Sequence, residues 1–209
     1  MKKYIIVILI ITLLITLGII KTQDNIKFIN KQNTQTVTNS VNQPNTFNLN
    51  NPEPSRHIEH KIYNVPLPIE DQILIQDECR KYGLSPEYIL AIIQAESTFN
   101  SKAISTNKTS LGLMQLNKNT YPWVAKQLDI KNFDPYNSRH NIQAGIWYIN
   151  HLRNYWYSKG YDDENIFDLI LISYNLGVDG CNKYVSKHGL NYSYVNKIIK
   201  YKDNIERNN

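Results

Sequence analysis

The stretch AIIQAESTFN, residues 91–100, sets one carboxylate at the end of an apolar run. Ile89, Ile92, Ile93 and Glu96 follow one another at i, i+3, i+4 and i+7, which is a single face of an α-helix. Glu96 therefore shares the stripe that would face a core. A carboxylate deprived of hydration holds its proton more tightly, and a carboxyl that stays protonated near neutral pH can act as a general acid. The plain alternative is a Glu at a fraying helix end, turned to water, and the helix alone leaves both open.

Other reactive side chains lack such a setting. Cys79 or Cys181 could in principle pair with His57, His60, His140, His151 or His188 as a nucleophile and base. Cys79 lies in the polar helical stretch DECRKYG, however, and none of the histidines carries a signature. The chain has no His-Glu-x-x-His, so a zinc peptidase has no support. If the two cysteines lie outside the cytoplasm they could form a disulfide; two unpaired thiols are the equal alternative, because sequence gives no distance between them.

The elements that must position Glu96 read as helices nearly throughout from about His60. One helix spans Ile69 to Tyr82 with Gly83 at its stop. The helix bearing Glu96 has Ser85 as N-cap, Pro86 at its first position and Glu87 in its first turn. Further helices are expected from Pro122 to Leu128, over 141–157, over 165–175 ending at Gly177, and over 178–188 and 192–202. No strand alternation is convincing, so the domain is all-α.

The N-terminus differs in kind. MKKYIIVILIITLLITLGIIK begins basic, runs uncharged from Tyr4 to Ile20 and returns to charge at Lys21. That length sits between a short membrane span and a long signal-peptide core. With no small-x-small cleavage site after it, residues 1–21 read as an uncleaved single-pass anchor, a cleaved signal being the alternative. Lys2 and Lys3 would stay inside, so everything downstream is delivered outside the cytoplasm. Residues 22–59 are rich in Asn, Gln and Thr and cannot bury enough surface to offset ordering; they read as a flexible linker with a reach of roughly 35–40 Å. The globular part is then 60–209. The chain carries a net charge of +5, but residues 60–209 hold seventeen bases against fifteen acids, too even a balance for a nucleic-acid partner. The stretch from Lys183 to Arg207 holds six bases and two acids, which suits either an anionic polymer or a solvated helix face.

Four fragments follow in order: Glu96-Ser97, Gly112-Leu113-Met114-Gln115, Asn141 to Gly145 within NIQAGIWYI, and Tyr174-Asn175-Leu176-Gly177. Each alone is weak. Together, over roughly residues 65–200, they resemble the catalytic domain of lytic transglycosylases in the goose-type lysozyme-like superfamily. The chain departs from that pattern in YNSRH, a longer insert between Asp134-Pro135 and Asn141, and in Ser173 and Leu176 beside the Tyr-Asn pair.

The resemblance implies a lysozyme-like helical domain in a bacterial envelope, with peptidoglycan glycan strands as substrate and the membrane as a second partner through the N-terminal helix. Glu96 would be the single catalytic acid and base. Ser97, Ser105, the loop Gly112, Met114 and Gln115, and then Tyr174, Asn175 and Tyr194 would line or support the substrate cleft, with the Tyr174 hydroxyl within reach of the Glu96 carboxyl. The implied reaction cleaves the bond from N-acetylmuramic acid to N-acetylglucosamine without water and leaves 1,6-anhydro ends. It needs no metal and no organic cofactor. A lysozyme-type hydrolase would need a second carboxylate, for which only Asp129 and Asp134 offer themselves. A non-catalytic glycan-binding module in an envelope assembly, with a protein partner, is the other alternative; rings in IWYINHLRNYWY could stack on sugars, although core packing is the commoner use.

Overall fold

The computed structural model describes residues 59–208. The anchor expected over 1–21, and all but the last residue of the linker expected over 22–59, lie outside the described residues. Among the described residues no helix is long and apolar enough to cross a membrane.

Local signals place the first two helices. Helix α1, Ile69–Tyr82, ends at Gly83, whose backbone lies in the left-handed region (φ 61°), and the Leu84 N–H returns to the Cys79 carbonyl at 2.9 Å. A side chain at Gly83 would meet nothing, so the glycine answers to the backbone angle alone. Helix α2, Pro86–Ser97, starts with the Ser85 hydroxyl accepting from the Tyr88 N–H. Its Glu87 accepts from the Ser85 and Tyr63 hydroxyls, both at 2.7 Å, next to the positive helix end.

Helix α2 is the buried axis of the domain. Ile89, Leu90, Ala91, Ile92 and Ile93 are each at most 1 % exposed, and a fully buried Ile or Leu contributes about 1.5–3 kcal/mol. After α2 the chain makes an antiparallel hairpin, β1 (Ser110–Leu111) and β2 (Leu116–Asn117), with Leu111 opposite Leu116 and Ile104 bridged to Leu111. This pairing is absent from the all-α expectation, because strands of two residues have no room for alternation. The rest is helical as expected: α3, Tyr121–Gln127; α4, Ser138–Ser158; α5, Asp163–His188; and α6, Ser193–Arg207. Helix α5 breaks at Gly177 (φ 74°, ψ 163°), so the two expected segments meet there under one span.

Helix α2 packs chiefly on α6, α1 on α4, and α4 on α5. Trp156 of α4 is fully buried, and its indole N–H donates to the Ser173 hydroxyl of α5 at 2.9 Å. Cys79 and Cys181 are both free and both buried in this core.

Candidate active site

Glu96 lies in the last turn of α2, where the core stripe runs out. Immediately beyond Ser97, Thr98 (φ 51°) and Phe99 (φ 63°) turn through the left-handed region, an arrangement that costs non-glycine residues about 1–2 kcal/mol each. The helix is thus stopped at the point that leaves its final acid at a cavity of about 330 Å³. The hairpin forms one wall with Ser110, Gln115, Leu116 and Asn117; Thr120 and Tyr148 form another; Tyr174 to Gly177 close the third. Among the described residues Glu96 is the carboxylate that lines it.

The electrostatics follow from that position. Burial raises the Glu96 carboxyl above the usual carboxylate range, and two neighbours hold it back in part. The Tyr194 hydroxyl of α6 donates to Glu96 Oε1 at 2.5 Å. Lys197, one turn later, exerts a favourable charge effect on Glu96 and donates to the Ala95 carbonyl at 3.0 Å. Desolvation therefore makes the acid hold its proton more tightly than an ordinary carboxyl, and a phenol orients it.

Tyr174 shares the cavity with Glu96. Its hydroxyl donates to the Met114 carbonyl at 2.7 Å, joining α5 to the hairpin loop, and the hydrogen bond to Glu96 comes from Tyr194. Burial, then the nearby Glu96 charge, push the Tyr174 hydroxyl well above its usual value, so it remains a donor. Asn175 lines the cavity, and its side-chain oxygen accepts from the Tyr192 hydroxyl at 2.6 Å.

The hairpin loop is held by packing too tight for side chains. Gly112 (φ 80°) sits where a Cβ would come within 2.2 Å of the Pro135 carbonyl and 2.3 Å of Asn141 Nδ2. Asn141, fully buried at the start of α4, accepts from the Met114 N–H at 2.8 Å and donates to the Leu111 and Pro135 carbonyls at 3.0 and 2.9 Å. One turn on, Gly145 leaves the space that Met114 fills: a Cβ there would come within 2.2 Å of the Met114 sulfur. Gln115 (φ 46°) donates from its amide to the Gly112 and Ala103 carbonyls at 2.9 and 3.1 Å, and also faces the cavity.

Ser97 and Ser105 lie elsewhere. The Ser97 hydroxyl donates back to the Ile93 carbonyl at 3.1 Å within its own helix. Ser105 accepts from the Thr109 and Ser110 N–H groups at 3.1 and 2.9 Å and donates to Asn107, shaping the loop before β1. Asp134 accepts from the Tyr136 N–H at 2.9 Å as a turn former ahead of α4, and Asp129 ends a turn at φ 50°; neither lines the cavity.

Tyr192 and Lys197 escape the reading of the sequence, and Tyr148 enters it only as one of the rings in IWYINHLRNYWY that could stack on sugars. Tyr148 stands seven residues after Asn141 and three after Gly145, hence on their helix face, and that phase was the available signal. Tyr192 and Lys197 carry none, because their partners are far along the chain.

Comparison with known proteins now decides the family. A family model described as the transglycosylase SLT domain matches residues 73–193, more than half of the chain. The chain belongs to the transglycosylase SLT domain family. This SLT domain is 33 % identical over 112 residues to membrane-bound lytic murein transglycosylase C of Yersinia enterocolitica, and 31 % identical over 109 residues to the protein of that name from Yersinia pestis. Each match covers 50 % of this chain and 30 % of the relative, so the chain spans under a third of their length. Its fold is that of an inactive mutant of the lytic transglycosylase Slt from Pseudomonas aeruginosa (TM-score 0.55, 19 % identity, 67 % of this chain and 24 % of that one). Slt70, the soluble lytic transglycosylase of Escherichia coli, gives a TM-score of 0.52 at 18 % identity over 65 % of this chain and 24 % of that one. The SLT domain is therefore mostly helical and lysozyme-like.

Proposed function

We propose that the chain is a peptidoglycan lytic transglycosylase in which Glu96 serves as acid and then as base. The observation that carries this reading is the cavity's lone carboxylate among the described residues, desolvated and hydrogen-bonded to Tyr194. Protonated Glu96 gives its proton to the oxygen bridging N-acetylmuramic acid and N-acetylglucosamine, and the bond from that oxygen to C1 breaks. Positive charge develops at C1 of the muramic sugar. The resulting Glu96 carboxylate, held by Tyr194, takes the proton of the sugar's 6-hydroxyl, and O6 closes on C1. Glu96 ends protonated again, and no water is consumed. A hydrolase needs room and a base for a water molecule; here the nucleophile belongs to the substrate, so proximity supplies its high effective concentration. Gln115, Asn175 and Tyr148 line the space such a substrate occupies.

The Yersinia relatives are named membrane-bound lytic murein transglycosylases, and residues 4–20 are uncharged and mostly apolar. Both support membrane association, and the form proposed for it is a single-pass anchor over residues 1–21 with the catalytic domain outside the cytoplasm.

The test is mass spectrometry of fragments released from purified peptidoglycan by the full chain in detergent, beside Glu96→Gln. Anhydro-muramic ends, lighter by one water than hydrolysed ends and lost in the variant, are expected. Reducing muramic ends would overturn the non-hydrolytic step, and release undiminished in Glu96→Gln would overturn the assignment of the acid.

A further inference from the structure

We propose that the aromatic corner formed by Trp123, Trp147 and His151 is a further saccharide-stacking subsite, which extends the cleft past Tyr148 and takes a neutral pyranose ring of the glycan strand. The proposal rests on the glycan reading above and names a surface outside the cavity that holds Glu96.

The corner has two sides. Trp147 and His151, one turn apart on α4, lie with ring planes only 8° apart and centroids 5.4 Å apart. Trp123 of α3 stands across them at 70° and 74°, its centroid 5.2 and 4.9 Å from theirs. Core packing alone does not account for Trp123. Its neighbours Val124 and Ala125 are 0 % and 6 % exposed, whereas Trp123 keeps 40 % of its surface in water. Helix α3 thus turns its small residues inward and holds its largest ring outward.

Two links tie the corner to the cavity. Tyr148 lines the cavity and lies between: its ring is 6.3 Å from His151 at 14° and 5.9 Å from Tyr174, another lining residue. Thr120 lines the same cavity and is the residue from which α3 starts, three positions before Trp123. A run of ring contacts therefore leads from the site of Glu96 to an exposed indole. Burial lowers the His151 pKa, which favours the neutral imidazole and leaves the corner without a formal charge. Uncharged aromatic faces match the C–H face of a neutral sugar better than they match the carboxylates of stem peptides.

The test uses the full chain carrying Glu96→Gln, so that ligands are bound but not turned over, and calorimetric titration with peptide-free peptidoglycan fragments, a tetrasaccharide and an octasaccharide. Adding Trp123→Ala should weaken octasaccharide binding about three- to tenfold, the range of one aromatic contact, and leave the tetrasaccharide within about twofold. Trp123→Tyr should restore most of the loss. His151→Leu, which keeps bulk but not the flat ring, should act in the same direction and reads the corner independently of how well Trp123→Ala folds. Unchanged affinity for both fragments in both variants would overturn the subsite and leave the glycan reading standing. Equal weakening for both fragments would also overturn it, because Trp123 would then only prop the cavity. No binding of either fragment by the Glu96→Gln chain itself would overturn the glycan reading, and the subsite with it.

Discussion

Glu96 and its two tyrosines carry the residue-scale argument. A hydroxyl donated to a carboxylate favours the charged form, so Tyr194 works against the desolvation that raises the Glu96 pKa. Replacing Tyr194 with Phe removes that restraint, and the Glu96 pKa rises further. A general acid loses activity as pH climbs through its pKa, so the basic limb of the pH–activity profile should move to higher pH in Tyr194→Phe. Peak turnover should fall about ten- to hundredfold, the equivalent of one hydrogen bond to a charged group at about 1.5–3 kcal/mol. A profile with an unmoved basic limb would show that Tyr194 does not govern the acid. Glu96 is legible in the amino-acid sequence because its phase on an apolar helix is a local property. The division of hydrogen bonds between Tyr174 and Tyr194 is not. Both tyrosines are remote from Glu96 in sequence, and which hydroxyl meets which oxygen depends on where α5 and α6 pack.

Two motifs that read separately in the sequence form one device at the scale of elements. Asn141 ties the hairpin loop by two hydrogen bonds and the Pro135 carbonyl by a third, and Gly145, on the same face of α4, receives the Met114 side chain. Tyr174 then fastens α5 to the Met114 carbonyl. The loop that bears Gln115 is thereby fixed from two helices at once. Gly145→Ala should drive a methyl group into the Met114 sulfur and destabilise the fold by about 1–3 kcal/mol, read as a lowered denaturation midpoint. Activity should fall further than the unfolded fraction explains, because the displaced loop is a cavity wall. A midpoint matching the parent's would mean that Met114 has free space to retreat. The helices themselves are readable from caps and stops, as at Ser85, Gly83 and Gly177. The hairpin is not, because two-residue strands are made by pairing between segments and leave no periodic trace.

The whole molecule joins a helical SLT domain to an N-terminal region whose composition belongs to another class of chain. Cys79 and Cys181 test the domain's interior. Both are free and buried, and burial above all pushes the Cys79 thiol up to about 12. The thermal midpoint should therefore be the same with and without reductant, and thiol reagents should label neither residue until the protein unfolds. A midpoint that drops under reductant would reveal a disulfide. Sequence by itself determined what depends on neighbours along the chain: the helix starts and stops, the apolar face beneath Glu96, the uncharged run of residues 4–20, and the polar composition that follows it. Only the tertiary structure decided what depends on distance between remote segments: that the carboxylate reaches a cavity, that Tyr194 holds it while Tyr174 holds the loop, that Asp129 and Asp134 stay off the lining, and that the two thiols remain apart. The physical reason is that hydrogen bonding along one helix is set by neighbouring residues, whereas desolvation and side-chain pairing arise only when separate elements pack.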